Sequence, residues 1–226
     1  TLLSAGLNLG ARIDDGASQG RYLDAGGQSF LQSGTQFLET ELLPFSVTES
    51  GETASIGLHF PHVTLPSNAK LNSVRIHFEW AGQEWLDADV DEGAGSAKLR
   101  IRLDSRKDSP TFADAAGRRI TDRPMTSAHV DWEARRPANW ERLTDEPLTR
   151  STNNLRDVFL EVFDQGDTGP LTVIIEPAPD ATLTPKDSVV FLGNHSRGSA
   201  YPAPRLVLGY NLIGYQPVEY VTGYRF

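Results

Sequence analysis

Cysteine is absent from this chain of 226 residues. Without thiols the chain forms no disulfide, carries no thiolate nucleophile and holds no cysteine-ligated metal. Positive charge is also scarce, because the formal net charge is −9 and no run of Lys and Arg occurs. Nucleic-acid binding needs a basic surface, so we expect no nucleic-acid partner. No stretch approaches the ~20 apolar residues of a spanning helix, and we expect no transmembrane helix.

The composition favours a globular protein made of short strands. Hydrophobic residues make up 38% and charged residues 23% of the chain, as in soluble domains with a sizeable core. Twenty Gly and fourteen Pro divide the chain into short segments, which favours strands joined by turns. The first residue is Thr1 and not Met, which predicts a mature chain without its signal peptide. We therefore expect an extracellular or cell-surface location.

Two-residue alternation is the clearest structural signal. Within 70–80, apolar side chains occupy every second position, at Val74, Ile76, Phe78 and Trp80, as in a half-buried strand. The same alternation predicts strands at 56–60 and 99–103, with further strands at 127–132, 170–176, 187–192 and 204–210. Pro66 and Asn68 are typical turn residues, so the strands on either side of 65–68 are predicted to be adjacent and antiparallel.

One segment has helical spacing. Leu155, Val158, Phe159 and Val162 fall at i, i+3, i+4 and i+7, with Ser151, Thr152 and Asn153 as candidate caps. The sequence therefore predicts an all-β, jelly-roll-like β-sandwich with one short helix and extended terminal segments. We place the sandwich at 35–210, an N-terminal extension at 1–34 that could be an exchanged strand, and a C-terminal strand or extension at 211–226.

The middle of the chain resembles a known group of modules. Residues 54–80 (ASIGLHFPHVTLPSNAKLNSVRIHFEW), 126–132, Trp140, the predicted helix and the ending at 203–208 are similar in order to secreted bacterial β-sandwich modules of the DNRLRE-like and carbohydrate-binding-type group. The resemblance implies a non-catalytic part of an adhesin, a polysaccharide-acting enzyme or a cell-surface assembly. His59 stands where those modules have Arg, and 194–201 stands where they have a "SYDG" motif.

Acidic residues in the long segment 81–96 suggest a calcium site. Asp87, Asp89, Asp91 and Glu92 supply closely spaced carboxylates next to glycines, and Ca²⁺ prefers such oxygen-rich, flexible loops. The Gly and Glu of an EF-hand are missing at their positions. The alternative is a solvated acidic loop.

Sugar recognition is the second candidate chemistry. Trp85 lies in the same long segment, and a flat aromatic face suits the apolar side of a sugar ring. We also predict ligand contacts from His195, Arg197 and Tyr201, in the segment that replaces the motif of the similar modules. Trp80, Trp132 and Trp140 are predicted to be core residues. The five histidines lack metal-site spacing, so we interpret them as surface or hydrogen-bonded strand residues, with a cross-strand metal site as the alternative.

We found no catalytic motif, such as G-x-S-x-G or a phosphate loop. The sequence therefore predicts an extracellular, non-enzymatic module that binds a polysaccharide or a cell-surface protein, or that builds a surface assembly. One alternative is a homopolymeric fibre subunit, because residues 218–226 alternate and Tyr220, Tyr224 and Phe226 could add to a neighbour's sheet edge. An ordinary final strand explains that alternation equally well. Another alternative is a polysaccharide-acting enzyme with an Asp/Glu pair.

Overall fold

The computed structural model describes residues 11–14, 19–24, 28–33, 36–39, 42–45, 54–79, 96–135, 149–163, 169–181, 189–193 and 203–213. These parts of the chain form thirteen strands and one short helix. The elements are β1 Ala11–Asp14, β2 Gln19–Asp24, β3 Gln28–Ser33, β4 Gln36–Glu39, β5 Leu42–Phe45, β6 Ser55–Val63, β7 Ala69–Glu79, β8 Ser96–Leu103, β9 Val130–Arg135, β10 Thr149–Ser151, α1 Arg156–Val162, β11 Gly169–Pro177, β12 Val189–Leu192 and β13 Arg205–Leu212.

The strands form two main antiparallel sheets that pack as a sandwich. Sheet A has the order β1-β2-β13-β7-β10 and sheet B the order β4-β3-β6-β11-β8-β9, while β12 and β5 form a separate pair. From β6 onward the chain crosses repeatedly between the sheets, as in Greek-key and jelly-roll folds. The predicted all-β sandwich with one short helix is confirmed. No helix among the described residues has the length and apolar character needed to cross a bilayer.

Alternating side chains from both sheets build the core. Val74, Ile76 and Phe78 of β7 are at most 1% exposed and face the equally buried Leu58 and Phe60 of β6 across the interior. Burial of this kind contributes about 25 cal/mol for each Å² of apolar surface. Trp132 is 6% exposed and belongs to the same cluster, which confirms it as a core residue. Trp80 and Trp140 lie outside the described residues.

The connection between β6 and β7 crosses from one sheet to the other. Its predicted turn is present, because the Ala69 amide donates to the Pro66 carbonyl at 2.8 Å. The predicted adjacency of the two strands is wrong, since β6 pairs with β3 and β11 while β7 pairs with β13 and β10. Leu65 within the connection is only 7% exposed and joins the core. The apolar faces of both strands therefore meet across the interior instead of sharing one sheet.

Helix α1 lies where the spacing predicts it, with Val158, Phe159 and Val162 buried. The predicted caps are wrong. Leu155 precedes the helix without a side-chain capping hydrogen bond, and Ser151 belongs to β10.

Polar side chains before the helix instead bind the part of the β7 edge that β10 does not cover. The Thr152 hydroxyl accepts from the Ile76 amide at 3.1 Å, and Asn154 Oδ1 accepts from the Val74 amide at 2.9 Å. The Thr152 amide in turn donates to the Ile76 carbonyl at 3.0 Å. These groups satisfy an edge that would otherwise attract another strand.

Two boundaries differ from the predicted ones for local reasons. β2 and β3 lie before residue 35, yet they pair with β13 and β6 of the same chain; their Gly, Gln and Ser content hid the strand pattern. β9 begins at Val130 and not at residue 127, because the Glu161 carboxylate accepts from the amides of Ser127 and Ala128 at 2.6 Å. Tyr220, Tyr224 and Phe226 lie outside the described residues, so strand exchange stays a prediction.

Candidate functional site

Residues 105–125, which we call the cover segment, pack on the outer face of sheet B over β3, β6 and β11. Phe112 and Ile120 of this segment form a second apolar cluster with Phe30 and Ile174 of the sheet. The rings of Phe30 and Phe112 lie 5.2 Å apart. A Cβ atom on Gly57 would come within 2.5 Å of Phe112 Cζ, so only glycine leaves room for that ring in this arrangement.

A buried ion pair anchors the cover segment to the end of β8. The side chains of Asp104 and Arg123 are both 0% exposed and meet at 2.9 Å. The Asp104 carboxylate also accepts from the amide, Nε and Nη2 of Arg106 and from the Ser109 hydroxyl, at distances of 2.6–3.1 Å. The Arg123 guanidinium lies 4.0 Å from the centroid of the Phe112 ring, a favourable cation–π distance.

This network is an anchor and leaves little capacity for a ligand. Burial by itself would raise the pKa of Asp104, but the hydrogen bonds from Arg106, Ser109 and Arg123 outweigh it and hold that pKa below its usual range. Asp104 is therefore ionised at neutral pH, with both oxygens occupied. Among the described residues, no group of three or more His, Asp or Glu side chains is arranged to hold a metal.

His59 lies beneath the same cover segment and is also a structural residue. It is 5% exposed, and its Nδ1 lies 2.9 Å from the Thr172 hydroxyl. Burial, followed by the positive charge of Arg123 and by His62, lowers the pKa of His59 to about 4. The ring is therefore neutral at pH 7. This agrees with the interpretation of the strand histidines as hydrogen-bonded residues.

A different polar group lies at one end of sheet A. Glu79 ends β7, Thr149 begins β10 opposite Glu79, and Arg205 begins β13. Glu79 Oε1 accepts from the Thr149 hydroxyl at 2.8 Å and from Arg205 Nη2. The Glu79 side chain is 3% exposed and that of Arg205 is 25% exposed. We call these three residues the Glu79 cluster.

The Glu79 cluster has hydrogen-bonding capacity that the described residues do not use. Glu79 Oε2 and Arg205 Nε are buried, and neither has a hydrogen-bond partner in the part of the chain that the structure describes. Asn211 Oδ1, further along β13, is in the same state. Each such buried atom costs about 1–3 kcal/mol, and such groups are few in folded proteins. Arg102 Nε and Arg123 Nε are in the same state, but in the Glu79 cluster an acceptor and a donor of this kind belong to the two members of one ion pair.

The core holds this end of sheet A in place. Phe78, next to Glu79 in β7, stacks on Trp132 of β9 with ring centroids 5.4 Å apart. Phe45 of β5 contacts both rings edge-on, at 5.9 and 6.0 Å. Functional groups on strands with packed support keep their geometry better than groups on loops. The Glu79 cluster is thus preorganised by aromatic packing beneath it.

Three stretches of chain outside the described residues are attached at this end of sheet A. Residues 80–95 follow Glu79, residues 136–148 precede Thr149, and residues 194–202 precede Ala203. The predicted site residues Trp85, Asp87, Asp89, Asp91, Glu92, His195, Arg197 and Tyr201 fall in the first and third stretches, outside the described residues. Sequence analysis missed the Glu79 cluster, because Glu79 and Arg205 are 126 residues apart and no motif links them.

Comparison with models of known protein families and with curated proteins found no match for this chain. The resemblance to secreted β-sandwich modules therefore stays a prediction.

Proposed function

We propose that this chain is a non-catalytic, extracellular β-sandwich module that binds carbohydrate at the Glu79 cluster. The observation that carries the proposal is the ion pair of Glu79 and Arg205 on strands fixed by the core, in which the acceptor Glu79 Oε2 and the donor Arg205 Nε are buried without a partner among the described residues. Residues 80–95 follow Glu79 and residues 194–202 precede Ala203, and these two stretches contain the predicted ligand residues.

Carbohydrate chemistry suits this arrangement. Neighbouring hydroxyls of a sugar ring can donate to a carboxylate oxygen and accept from a guanidinium N–H at the same time. Charged partners strengthen both hydrogen bonds, and Arg offers its donors in a fixed plane. Trp85, by its predicted role, supplies the aromatic surface for the apolar side of the ring. Small-ligand sites commonly combine a few polar groups, which fix the orientation of the ligand, with an aromatic contact.

The test measures binding by isothermal titration to neutral and acidic polysaccharides, with dextran, xylan and polygalacturonate as probes. We expect Glu79→Gln and Trp85→Ala each to weaken binding about tenfold, which corresponds to about 1.4 kcal/mol. Glu176→Gln is the control for Glu79, since Glu176 pairs with Arg102 at 2.6 Å on sheet B. Ile213→Ala is the control for Trp85, since Ile213 is 58% exposed just beyond the opposite end of β13.

Thermal melting of each variant separates loss of binding from loss of fold. Binding that disappears only in variants with lowered melting temperature would contradict a direct role of the cluster. Absence of binding to every polysaccharide would contradict the proposed function. Release of new reducing ends from a bound polysaccharide would contradict a non-catalytic role and favour the enzyme alternative.

A further inference from the structure

The outer face of sheet A carries cations in an otherwise acidic chain. In β7, the inward positions are Leu71, Val74 and Ile76, all in the core. Lys70 and Arg75 occupy outward positions and are exposed. Their neighbours in β13 are Asn211 and Val207. The chain as a whole has a formal charge of −9, so a positive surface of this kind runs against its composition.

These two cations form no ion pair with any residue in the described part of the chain. The only described bond of the Arg75 side chain is from Nη1 to the Thr152 carbonyl, at 2.7 Å. That bond fixes the guanidinium and leaves its other N–H groups available. On sheet B the arginines are neutralised instead, Arg100 by Asp131 at 2.9 Å and Arg102 by Glu176 at 2.6 Å.

Between the two cations, β7 carries the exposed Asn72 and the half-buried Ser73. Ser73 and Gly209 pair across β7 and β13 there. A Cβ atom on Gly209 would come within 2.6 Å of the Ser73 hydroxyl oxygen, so a side chain at this position would displace that hydroxyl. A glycine next to a serine leaves backbone near the surface, where an extended ligand can lie flat.

The spacing of the cations sets the size of the ligand. Val207 and Asn211, their partners in β13, are four residues apart, which is roughly 14 Å along a strand. One sugar unit is too short to contact both Lys70 and Arg75. A chain with repeated negative charges can contact both at once, and electrostatic complementarity then contributes to specificity and to the rate of association.

We propose that the outer face of sheet A binds an anionic polysaccharide, whose carboxylate or sulfate groups contact Arg75 and Lys70 while its hydroxyls reach the Glu79 cluster. This inference rests on the proposed function and names the class of carbohydrate. Arg75 can hold a carboxylate or sulfate with two N–H groups, whereas Lys70 acts as a point charge.

The test compares dextran with dextran sulfate, and xylan with polygalacturonate, by affinity electrophoresis and isothermal titration at increasing salt. We expect the full chain to prefer the charged member of each pair and to lose affinity as salt rises. The double variant Lys70→Gln/Arg75→Gln should bind the charged polymers about tenfold more weakly. Lys98→Gln is the matched control, because Lys98 is exposed on β8 of sheet B, opposite Glu133, and it should bind as the unaltered chain does.

The other outcomes distinguish failure of the anionic-ligand proposal from failure of the proposed carbohydrate binding. If neutral polysaccharides bind as tightly as charged ones and the double variant is unaffected, the anionic ligand is wrong while the proposed function survives. If Lys98→Gln weakens binding as much as the double variant does, the attraction is not specific to sheet A and the inference is overturned. If no polysaccharide binds at all, both proposals fail. Urea unfolding of every variant confirms that the exposed substitutions leave the fold intact.

Discussion

Protonation of His59 should destabilise the protein between pH 6.5 and pH 4. The pKa of His59 falls from the ordinary value of 6.5 to about 4 in the folded state. Between these values the unfolded chain binds a proton at this residue and the folded chain does not, so stability falls as pH falls. The gap between 6.5 and about 4, at about 1.4 kcal/mol for each pH unit, is worth about 3 kcal/mol. The full contribution is present above pH 6.5 and is lost by about pH 4.

The assay is the free energy of unfolding in urea, measured at intervals from pH 7 to pH 4 for the unaltered chain and for His59→Gln. Glutamine at position 59 has no ionisable group. Between pH 7 and pH 4, the free energy of unfolding of the variant should therefore fall by about 3 kcal/mol less than that of the unaltered chain. His129→Gln, at an exposed position, should keep the slope of the unaltered chain. Asp104 does not interfere, because its pKa lies below the usual range. Equal slopes for His59→Gln and the unaltered chain would refute the reasoning.

Two further predictions concern the cover segment. Asp104→Asn should lower the free energy of unfolding in urea by about 3–5 kcal/mol, because it leaves Arg123 buried without its counter-ion. The control Asp131→Asn, in an exposed pair with Arg100, should lower it by less than about 1 kcal/mol. Equal losses would contradict the anchoring role. Gly57→Ala should lower stability by about 1–3 kcal/mol through overpacking against Phe112, and an unchanged melting temperature would show that the ring can move aside.

The sequence predicted the strands whose two faces differ. β6, β7 and β8 each place buried apolar residues at alternate positions for much of their length, and period-two alternation is a local property that needs no partner. The sequence placed β2 and β3 in an extension and not in the sandwich, because a strand rich in Gly, Gln and Ser is defined by its neighbours. Here those neighbours are β13 and β6, distant in sequence.

The helix caps, the sheet adjacency and the Glu79 cluster could not be predicted, because they depend on contacts that form only in the folded chain. Thr152 is a good capping residue by type, yet its hydroxyl accepts from the Ile76 amide in β7. The predicted turn at 65–68 formed, but sheet adjacency depends on where both apolar faces can be buried. The Glu79 cluster likewise joins residues from three strands, and only the folded topology brings them together.

The two outer faces of the sandwich divide stability from binding. On sheet B, the cover segment packs over β3, β6 and β11 and is anchored by the buried ion pair of Asp104 and Arg123, so these groups stabilise the fold. The face of sheet A keeps Lys70 and Arg75 exposed without ion pairs among the described residues. Because coupling between distant sites is usually small, substitutions that weaken the cover segment should lower stability while ligand affinity at sheet A stays unchanged below the unfolding temperature. Asp104→Asn should therefore lower the free energy of unfolding and leave ligand affinity unchanged, whereas Lys70→Gln should lower ligand affinity and leave the free energy of unfolding unchanged.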